Sequence, residues 1–466
     1  VEDTDQTRYV KGAEQYIGDC LSWCGISPDE GPQKGGAYGP YRQSERKDRY
    51  RQYAEQLVRS GHAYYAFDTP EEIESLREKL KAEGKYNVQY DFHNRLQMRN
   101  SLTLSAEETQ KLFAAGVPHV IRIKMPPDES VHFKDMIRGD IETATDGVDD
   151  KVLLKADGMP TYHLAVVVDD YQMKITHAFR GEEWLPSAPV HVLLWKYLGW
   201  EKDMPSWAHL PLILKPDGNG KLSKRDGERL GFPVFALEWN DPVKGVTMGF
   251  RELGFMPEAF VNMLAMLGWN DGTEQEIFSL DELVGKFSVD RIHAHGAKFD
   301  FEKAKWFNHE WIKKSDAKRL QGDVKKIFED HHIPVTDDTL FTKVIELIKE
   351  RCTLLTDFVQ QGSFFFIAPA QIDAPAILPK WGDSKNQFFV ELIRIYSQMD
   401  AWTVPDLEHT FKELAAASKL KPGELMFPFR IMLVGGKFGP GVFEISSLIG
   451  KEQTIKRIEH ALPLLK

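Results

Sequence analysis

Ile175-Thr176-His177-Ala178-Phe179-Arg180, then the apolar residues 189–197, then Pro211-Leu212-Ile213-Leu214 read in turn as strand, helix and strand. Parallel strands in one sheet need a long crossover, usually a helix, so this order is the grammar of a parallel sheet. Upstream, Thr161-Tyr162-His163-Leu164-Ala165-Val166-Val167-Val168 ends in a continuous apolar run, as a strand covered on both faces would. Val152-Leu153-Leu154-Lys155 precedes it across the turn Ala156-Asp157-Gly158-Met159-Pro160. The fold class is therefore α/β, with a ligand site expected in the loops at the strand ends.

Toward the N-terminus, Val10, Ala13, Ile17, Leu21 and Cys24 recur at helical spacing behind Thr7 as an N-cap, and Gly25 ends the helix. After a turn-rich loop, a second helix is expected from a Ser44 cap to Gly61. Ala63-Tyr64-Tyr65-Ala66-Phe67 reads as a strand. Thr69-Pro70-Glu71-Glu72 combines a cap, a first-turn proline and acids at the positive helix end, which predicts a helix to about Lys81. Ser105-Ala106-Glu107-Glu108 opens another. Residues 119–155 turn to strand patterning, and from about Phe255 the chain is helical almost throughout, with a linker at the prolines Pro369 and Pro375.

At 466 residues, 42% hydrophobic and 28% charged, the chain has the composition of a soluble protein with several cores. It has no run of eighteen apolar residues, and Val1-Glu2-Asp3-Thr4-Asp5 does not resemble a secretory leader, so a cytoplasmic protein without membrane contact is expected. Cys20, Cys24 and Cys352 form no metal-binding doublet, and Cys20 and Cys24 are expected as core thiols. With 59 Lys and Arg against 70 Asp and Glu, the net charge of −11 argues against indiscriminate nucleic-acid binding. Arg42, Arg46, Lys47, Arg49, Arg51 and Arg59, interleaved with Tyr41, Tyr50 and Tyr53, form either a local nucleic-acid contact or a helix face laced with ion pairs.

Lys221-Leu222-Ser223-Lys224-Arg225, entered through Lys215-Pro216-Asp217-Gly218-Asn219-Gly220, hangs from the strand expected over residues 209–214. Two ammonium groups on flexible stems suit a clamp that follows phosphate oxygens whose charge changes during reaction. The alternative is a solvated basic loop.

Glu2-Asp3-Thr4-Asp5, Gly39-Pro40-Tyr41-Arg42-Gln43-Ser44-Glu45-Arg46, Tyr162-His163-Leu164-Ala165, Arg180-Gly181-Glu182-Glu183-Trp184 and Lys221-Leu222-Ser223-Lys224-Arg225 stand in one order and spacing. In that arrangement the chain resembles bacterial-type glutamyl-tRNA synthetases over nearly its whole length. In these class I aminoacyl-tRNA synthetases the lysine loop has the signature Lys-Met-Ser-Lys-Ser, from which Leu222 and Arg225 depart. The resemblance implies a Rossmann-like catalytic domain in residues 1–62 and 160–214, with an inserted α+β acceptor-binding domain in 63–159. It further implies a stem-contact region in 215–300 and all-α anticodon-binding domains in 301–360 and 361–466.

The implied function is ATP-dependent ligation of L-glutamate to tRNA(Glu) through a glutamyl-adenylate, by a monomer using ATP with Mg²⁺. Lys221 and Lys224 are the implied catalytic residues, and Lys224, Ser223 and Glu183 the ATP contacts. Glu2, Tyr162 and Arg180 would bind glutamate, with Arg180 receiving its side-chain carboxylate and Glu2 facing its ammonium group. For Arg180 the other reading is a local ion pair with Glu182 or Glu183, and for Tyr162 ordinary core packing. Asp5 and Arg46 would meet the tRNA acceptor end, and Arg351 and Arg430 the anticodon loop, with helix-surface solvation the alternative for each arginine. Some relatives carry zinc in the inserted domain, but here Ala66 and Asp68 stand where cysteines would be and His93 is alone, so no structural zinc is expected.

One family signature, His-Ile-Gly-His on the first strand-to-helix turn, does not occur in the sequence. It lies upstream of the segment matching Glu2-Asp3, so the first strand and signature turn of the catalytic domain are absent from the chain, and residues are expected to precede Val1. Two other readings remain: an enzyme that also charges tRNA(Gln) with glutamate, and a catalytically silent tRNA-binding relative.

Overall fold

The computed structural model describes residues 1–5, 9–84, 89–241 and 245–465. Thr7, expected as a cap, lies outside them. The chain divides into two compact units: Val1–Leu222 with Ala265–Gln275 and Asp281–Phe299, and Ser223–Leu264 with Glu276–Leu280 and Asp300–Lys466. Among the described residues no helix is long and apolar enough to cross a membrane.

The first unit opens with α1 (Ala13–Trp23) and α2 (Lys47–Arg59). The stripe of α1 read as core-facing is open: no residue of the helix is buried, Ile17 is 58% exposed, and Leu21 and Tyr41 line a cavity of about 570 Å³ beside it. Cys20 and Cys24 are accordingly half-buried rather than core thiols, although burial and the neighbouring Cys20 push the Cys24 thiol up to about 11. Ser44 caps no helix. It lies in a 3₁₀ turn, where its Oγ donates to Asp3 Oδ2 at 2.5 Å and its N–H to Asp3 Oδ1 at 2.8 Å, tying the N-terminal segment down.

Strand β1 (Ala63–Ala66) follows, then α3 (Pro70–Ala82) and α4 (Ala106–Ala114). Both helices begin with the reciprocal cap that their sequences spell: Thr69 and Ser105 accept the N–H of Glu72 and Glu108, whose side chains return to the cap N–H groups. Strands β2 (Val120–Ile123) and, further on, β5 (Val152–Leu154) complete an antiparallel sheet in the order β1-β2-β5. Between them β3 (Ser130–Asp135) and β4 (Gly139–Ala144) form a hairpin.

The run at 161–168 is not a strand but the helix α5 (Tyr162–Gln172). Short apolar runs fit a buried helix as well as a buried strand. Here Leu164, Ala165, Val167 and Val168 are buried at helical spacing, and Thr161 supplies an extended N-cap backbone. Next come β6 (His177–Gly181), α6 (Ala188–Tyr197) and β7 (Ser206–Leu210), with β6 and β7 parallel from His177↔Ser206 to Gly181↔Leu210. The strand–helix–strand reading holds there. The expected strand over 209–214 breaks at Pro211, which has no N–H for a ladder. Its second part, β8 (Ile213–Leu214), pairs instead with Ala297–Lys298, while β7 closes a sheet of order β4-β3-β7-β6.

The core of this unit packs Tyr50, Ala54 and Leu57 of α2 with α5, α6 and Trp207. Within it Asp169, near the negative end of α5, takes four polar contacts from α2 and its approach. Arg46 Nε lies 2.9 Å from Asp169 Oδ1, Tyr50 Oη donates at 2.8 Å, and Gln43 Nε2 donates to Oδ2 at 3.0 Å, Tyr50 reaching that oxygen also at 3.0 Å. Arg46 further donates from Nη2 to Gln172 at 2.7 Å and from Nη1 to the carbonyls of Tyr38 and Pro40. Its side chain is 0% exposed, so in place of the expected face toward tRNA it is an internal brace. Elsewhere in the basic segment Arg42 pairs with Glu14 and Glu45, and Arg59 with Glu55, as the ion-paired reading expects.

The second unit is mainly helical. One core runs through its helices, with Phe411 stacked on Phe429 at a centroid distance of 5.5 Å and Phe443 edge-on to Phe411 and tilted against Phe429. Buried polar groups are satisfied on backbone: Asn308 binds the carbonyls of Gly254 and Thr353 and the N–H of Met256, and Arg457 those of Leu433 and Phe364. Gly450, at φ 85°, kinks the helix Val442–Ala461 where a side chain would be strained.

Removing one partner of a buried ion pair costs about 3–5 kcal/mol, because the other charge is left uncompensated. Arg46→Ala is therefore expected to lower unfolding stability by about that amount in urea titration of the full-length protein; an unchanged midpoint would contradict the brace.

Candidate active site

Asp169 and Asp170 end the apolar run of α5 side by side, and they face different partners. Asp169 is held inward by Arg46, whereas Asp170 meets Arg180 of β6, with Arg180 Nη2 2.7 Å from Asp170 Oδ2. Burial pushes Asp170 up to about 6, against the opposing pull of Arg180 and aided by the nearby Asp169 and Glu2. The ion-pair reading of Arg180 is thus met by an acid the sequence reading had not weighed, and not by Glu182 or Glu183.

These groups line a cavity of about 370 Å³ whose walls include Glu2, Tyr162, Val166, Asp170, Arg180 and Trp184. The three residues expected to hold glutamate, Glu2, Tyr162 and Arg180, come together there. Glu2 is raised by burial, against the pull of nearby positive charge including Arg180. Tyr162 leans on Trp184 at a centroid distance of 4.3 Å, and burial pushes its phenol up to about 12, so it stays protonated as a donor. The cavity therefore offers one fixed guanidinium, carboxylates and a phenol within one small volume. Such a set is complementary to a molecule carrying both an anionic and a cationic group.

Behind Tyr162 the rings of His163 and His191 meet, Nδ1 to Nε2 at 3.2 Å. Burial pushes His163 down to about 4 and His191 well below the usual imidazole range, so the pair is neutral at pH 7. His209 of β7 and Asp135 of β3 form a buried pair at 2.6 Å. Although burial pushes Asp135 up, the hydrogen bonds from His209 and the N–H groups of Ile137 and Arg138 outweigh it and hold the carboxyl below its usual range. This pair joins two strands of the sheet that carries Arg180.

Downstream of Arg180, the two glutamates diverge. Glu182 pairs with Arg138 and accepts the N–H of Leu212 at 3.1 Å, which anchors the chain where β7 gives way to β8. Glu183 pairs with Lys221, whose bond holds its carboxyl below the usual range. Two residues expected at the nucleotide thus lie in contact in the first unit. In the second unit, Ser223 donates its N–H and Oγ to Asp226 Oδ2 at 2.9 and 2.6 Å. Lys224 is exposed, its Nζ 5.2 Å from the centre of the Phe235 ring.

The remaining expected residues lie elsewhere. Asp5 is half-buried in the N-terminal segment. Arg351 is exposed at the end of the turn Lys349–Arg351. Arg430 is half-buried, its Nη1 donating to the carbonyls of Gly439, at 2.7 Å, and Pro440. Burial and the charge of Arg351 lower its guanidinium, which sets the two arginines within electrostatic reach of each other. His93 lies 2.8 Å from Asp146, and among the described residues no group of three or more His, Cys, Asp or Glu is placed to hold a metal.

Asp170 and Asp226 escaped the sequence reading, and Trp184 entered it only as part of a motif, without a role. The signal for Asp170 was two acids in succession after an apolar run, which mark a helix end in need of cations.

Residues 1–306 match the family of class I tRNA synthetases (E and Q), catalytic domain, and residues 304–462 an anticodon-binding domain family. The chain is 50% identical over 467 residues to the glutamate–tRNA ligase of Christiangramia forsetii, covering all of this chain and 92% of that protein. It is 51% identical to that of Flavobacterium johnsoniae, with the same coverage. The crystal structure of a glutamate tRNA ligase from Elizabethkingia meningosepticum in complex with its amino acid superposes with a TM-score of 0.94 at 45% identity, covering 100% of this chain and 92% of that one. The glutamate-tRNA synthetase of Elizabethkingia anophelis gives 0.90 at 46% identity, covering 99% and 92%. The chain belongs to the glutamate–tRNA ligases, within the class I aminoacyl-tRNA synthetases.

Proposed function

We propose that this protein ligates L-glutamate to tRNA(Glu) in two steps at the cavity of Glu2, Tyr162 and Arg180. The observation that carries the reading is that cavity, where one largely enclosed guanidinium faces carboxylates and a phenol. Arg180 receives the side-chain carboxylate of glutamate, Glu2 its ammonium group, and the Tyr162 hydroxyl donates a further hydrogen bond. Held so, the α-carboxylate attacks the α-phosphate of ATP in line, the bond to the β-phosphate breaks and pyrophosphate leaves. The terminal ribose hydroxyl of the tRNA then takes the glutamyl group and AMP is released.

Little covalent help is needed for such a displacement; position and charge stabilisation supply most of the acceleration. Lys221 and Lys224 stabilise the triphosphate oxygens, Lys221 exchanging its bond to Glu183 for phosphate, while Ser223 offers its backbone and hydroxyl. Mg²⁺ accompanying the triphosphate would offset part of the charge that Lys221 and Lys224 meet. Residues 63–159 contact the acceptor end together with Asp5, residues 215–300 the stem, and 301–360 and 361–466 the anticodon arm, through Arg351 and Arg430. Arg46 contributes indirectly, by holding α5. The protein acts as a monomer in the cytoplasm.

The full-length protein is expected to form ATP from labelled pyrophosphate in a glutamate-dependent exchange, with or without tRNA; no ATP under either condition would overturn the enzymatic reading. Lys224→Ala is expected to slow adenylate formation by about 10²-fold or more, as loss of one preorganised charge contact does. An unchanged rate would remove Lys224 from this role. Arg180→Lys keeps the charge but loses the planar fork, so it is expected to raise the KM for glutamate far more than it lowers kcat. An unaltered KM would place the amino-acid site elsewhere.

A further inference from the structure

Lys298, on the short segment paired with β8, lies across the tip of the loop that carries Lys221. A methyl group built on Gly218 would stand 2.6 Å from its Cε, 3.1 Å from its Nζ and 3.6 Å from its Cδ. Gly218 takes φ +79°, a conformation that favours glycine, and the lysine stem occupies the space a side chain would need. Both residues belong to the first unit. Strand register sets this placement: Lys298 stands opposite Leu214, with the Ala297 N–H on the Leu212 carbonyl at 3.2 Å and the Phe299 N–H on the Leu214 carbonyl at 3.0 Å. Gly296 permits the approach, because a methyl group there would stand 2.9 Å from the Leu212 carbonyl oxygen.

The root of the loop is held by strand pairing, through the Leu214↔Lys221 bridge and the Leu222 N–H on the Ile213 carbonyl at 2.8 Å. Its tip is shaped by turns within the loop. Gly218 N–H donates to the Lys215 carbonyl at 2.8 Å, Lys215 N–H to the Gly220 carbonyl at 3.0 Å, and Asn219 N–H to Asp217 Oδ1 at 2.9 Å. Bonds internal to a loop give it a shape without fixing where it points. The Lys298 stem supplies a contact from outside. Among the described residues its ammonium group meets no carboxylate, so the aliphatic stem and not an ion pair makes that contact. Long cationic side chains pack in this way, with the stem on protein and the head in water.

Resting on the proposed function above, we propose that Lys298 is a positioning residue for the nucleotide loop, its stem holding the tip at Gly218 so that Lys221 is presented to the triphosphate of ATP. A loop already held in place loses less conformational freedom when the nucleotide binds. Lys298 thus favours ATP binding through the loop and touches no reacting atom. Glutamate, held through Glu2, Tyr162 and Arg180, does not draw on the loop, so its KM is independent of Lys298.

Two measurements on the full-length protein test this: the rate of trypsin cleavage after Lys221 without substrates, and the KM values for ATP and glutamate in pyrophosphate exchange. Lys298→Ala removes the stem, whereas Lys298→Met keeps an unbranched chain without the charge. Lys298→Ala is expected to be cleaved faster and to raise the KM for ATP by about fourfold, the equivalent of one buried methylene, with the KM for glutamate unchanged. Lys298→Met is expected to match the wild type in all three. Gly218→Ala, made in the wild type and in the Lys298→Ala background, closes a double-mutant cycle in which the backbone strain at φ +79° cancels. It is expected to raise the KM for ATP less in the Lys298→Ala background. Unchanged cleavage in Lys298→Ala would overturn the contact whether or not the protein is active. An unchanged KM for ATP, an equal rise in both KM values, a Lys298→Met protein as impaired as Lys298→Ala, or an additive cycle would overturn the positioning role and leave the function standing. No exchange by the wild type would overturn the function and this role together.

Discussion

Two successive carboxylates at the end of α5 face opposite demands, and the geometry of the pocket depends on both being met. A helix C-terminus carries partial negative charge and disfavours acids, so Asp169 and Asp170 each need a cation. Asp169 finds Arg46, backed by Tyr50 and Gln43, and thereby locks α5 to α2. Asp170 finds Arg180 and thereby locks α5 to β6. With the helix fixed on both sides, Tyr162 at its first turn is set against Trp184, and the cavity between them takes its shape.

The same constraint explains the chemistry available at the site. An arginine in contact with bulk water would bind many anions weakly, because solvent screens it. Arg180 is almost enclosed, and its companion carboxylate keeps it oriented, so a second anion is accepted only in a defined place. The neutral His163 and His191 pair lies behind Tyr162 without adding charge to the site. The residues proposed for the nucleotide are different in kind: Lys221, Ser223 and Lys224 are exposed, as would suit a loop that follows a mobile triphosphate.

Much of the fold could be read directly where the signal was local. The capping boxes at Thr69 and Ser105, and the parallel pair β6 and β7 around a helix, need only neighbouring residues to specify them. The readings that failed depended on partners far along the chain. Ser44 had the look of a cap, but Asp3 takes its hydroxyl. Arg46 looked like one more surface cation among several, and only the folded helix brings Asp169 and Gln172 to it. The apolar run at 161–168 satisfied strand and helix alike, and treating it as a strand left Asp170 outside any element that could point it at Arg180. The motif residues Glu2, Tyr162 and Arg180 were legible as a group through resemblance, whereas the acid that organises them had no motif to announce it.

The central claim is that the cavity bounded by Glu2, Tyr162, Asp170 and Arg180 holds the amino acid. A crystal structure of the full-length protein soaked with L-glutamate tests it most directly. The account predicts glutamate in that cavity, its side-chain carboxylate on the Arg180 guanidinium and its ammonium group toward Glu2. Glutamate bound elsewhere, or bound there with its side chain turned away from Arg180, would contradict it.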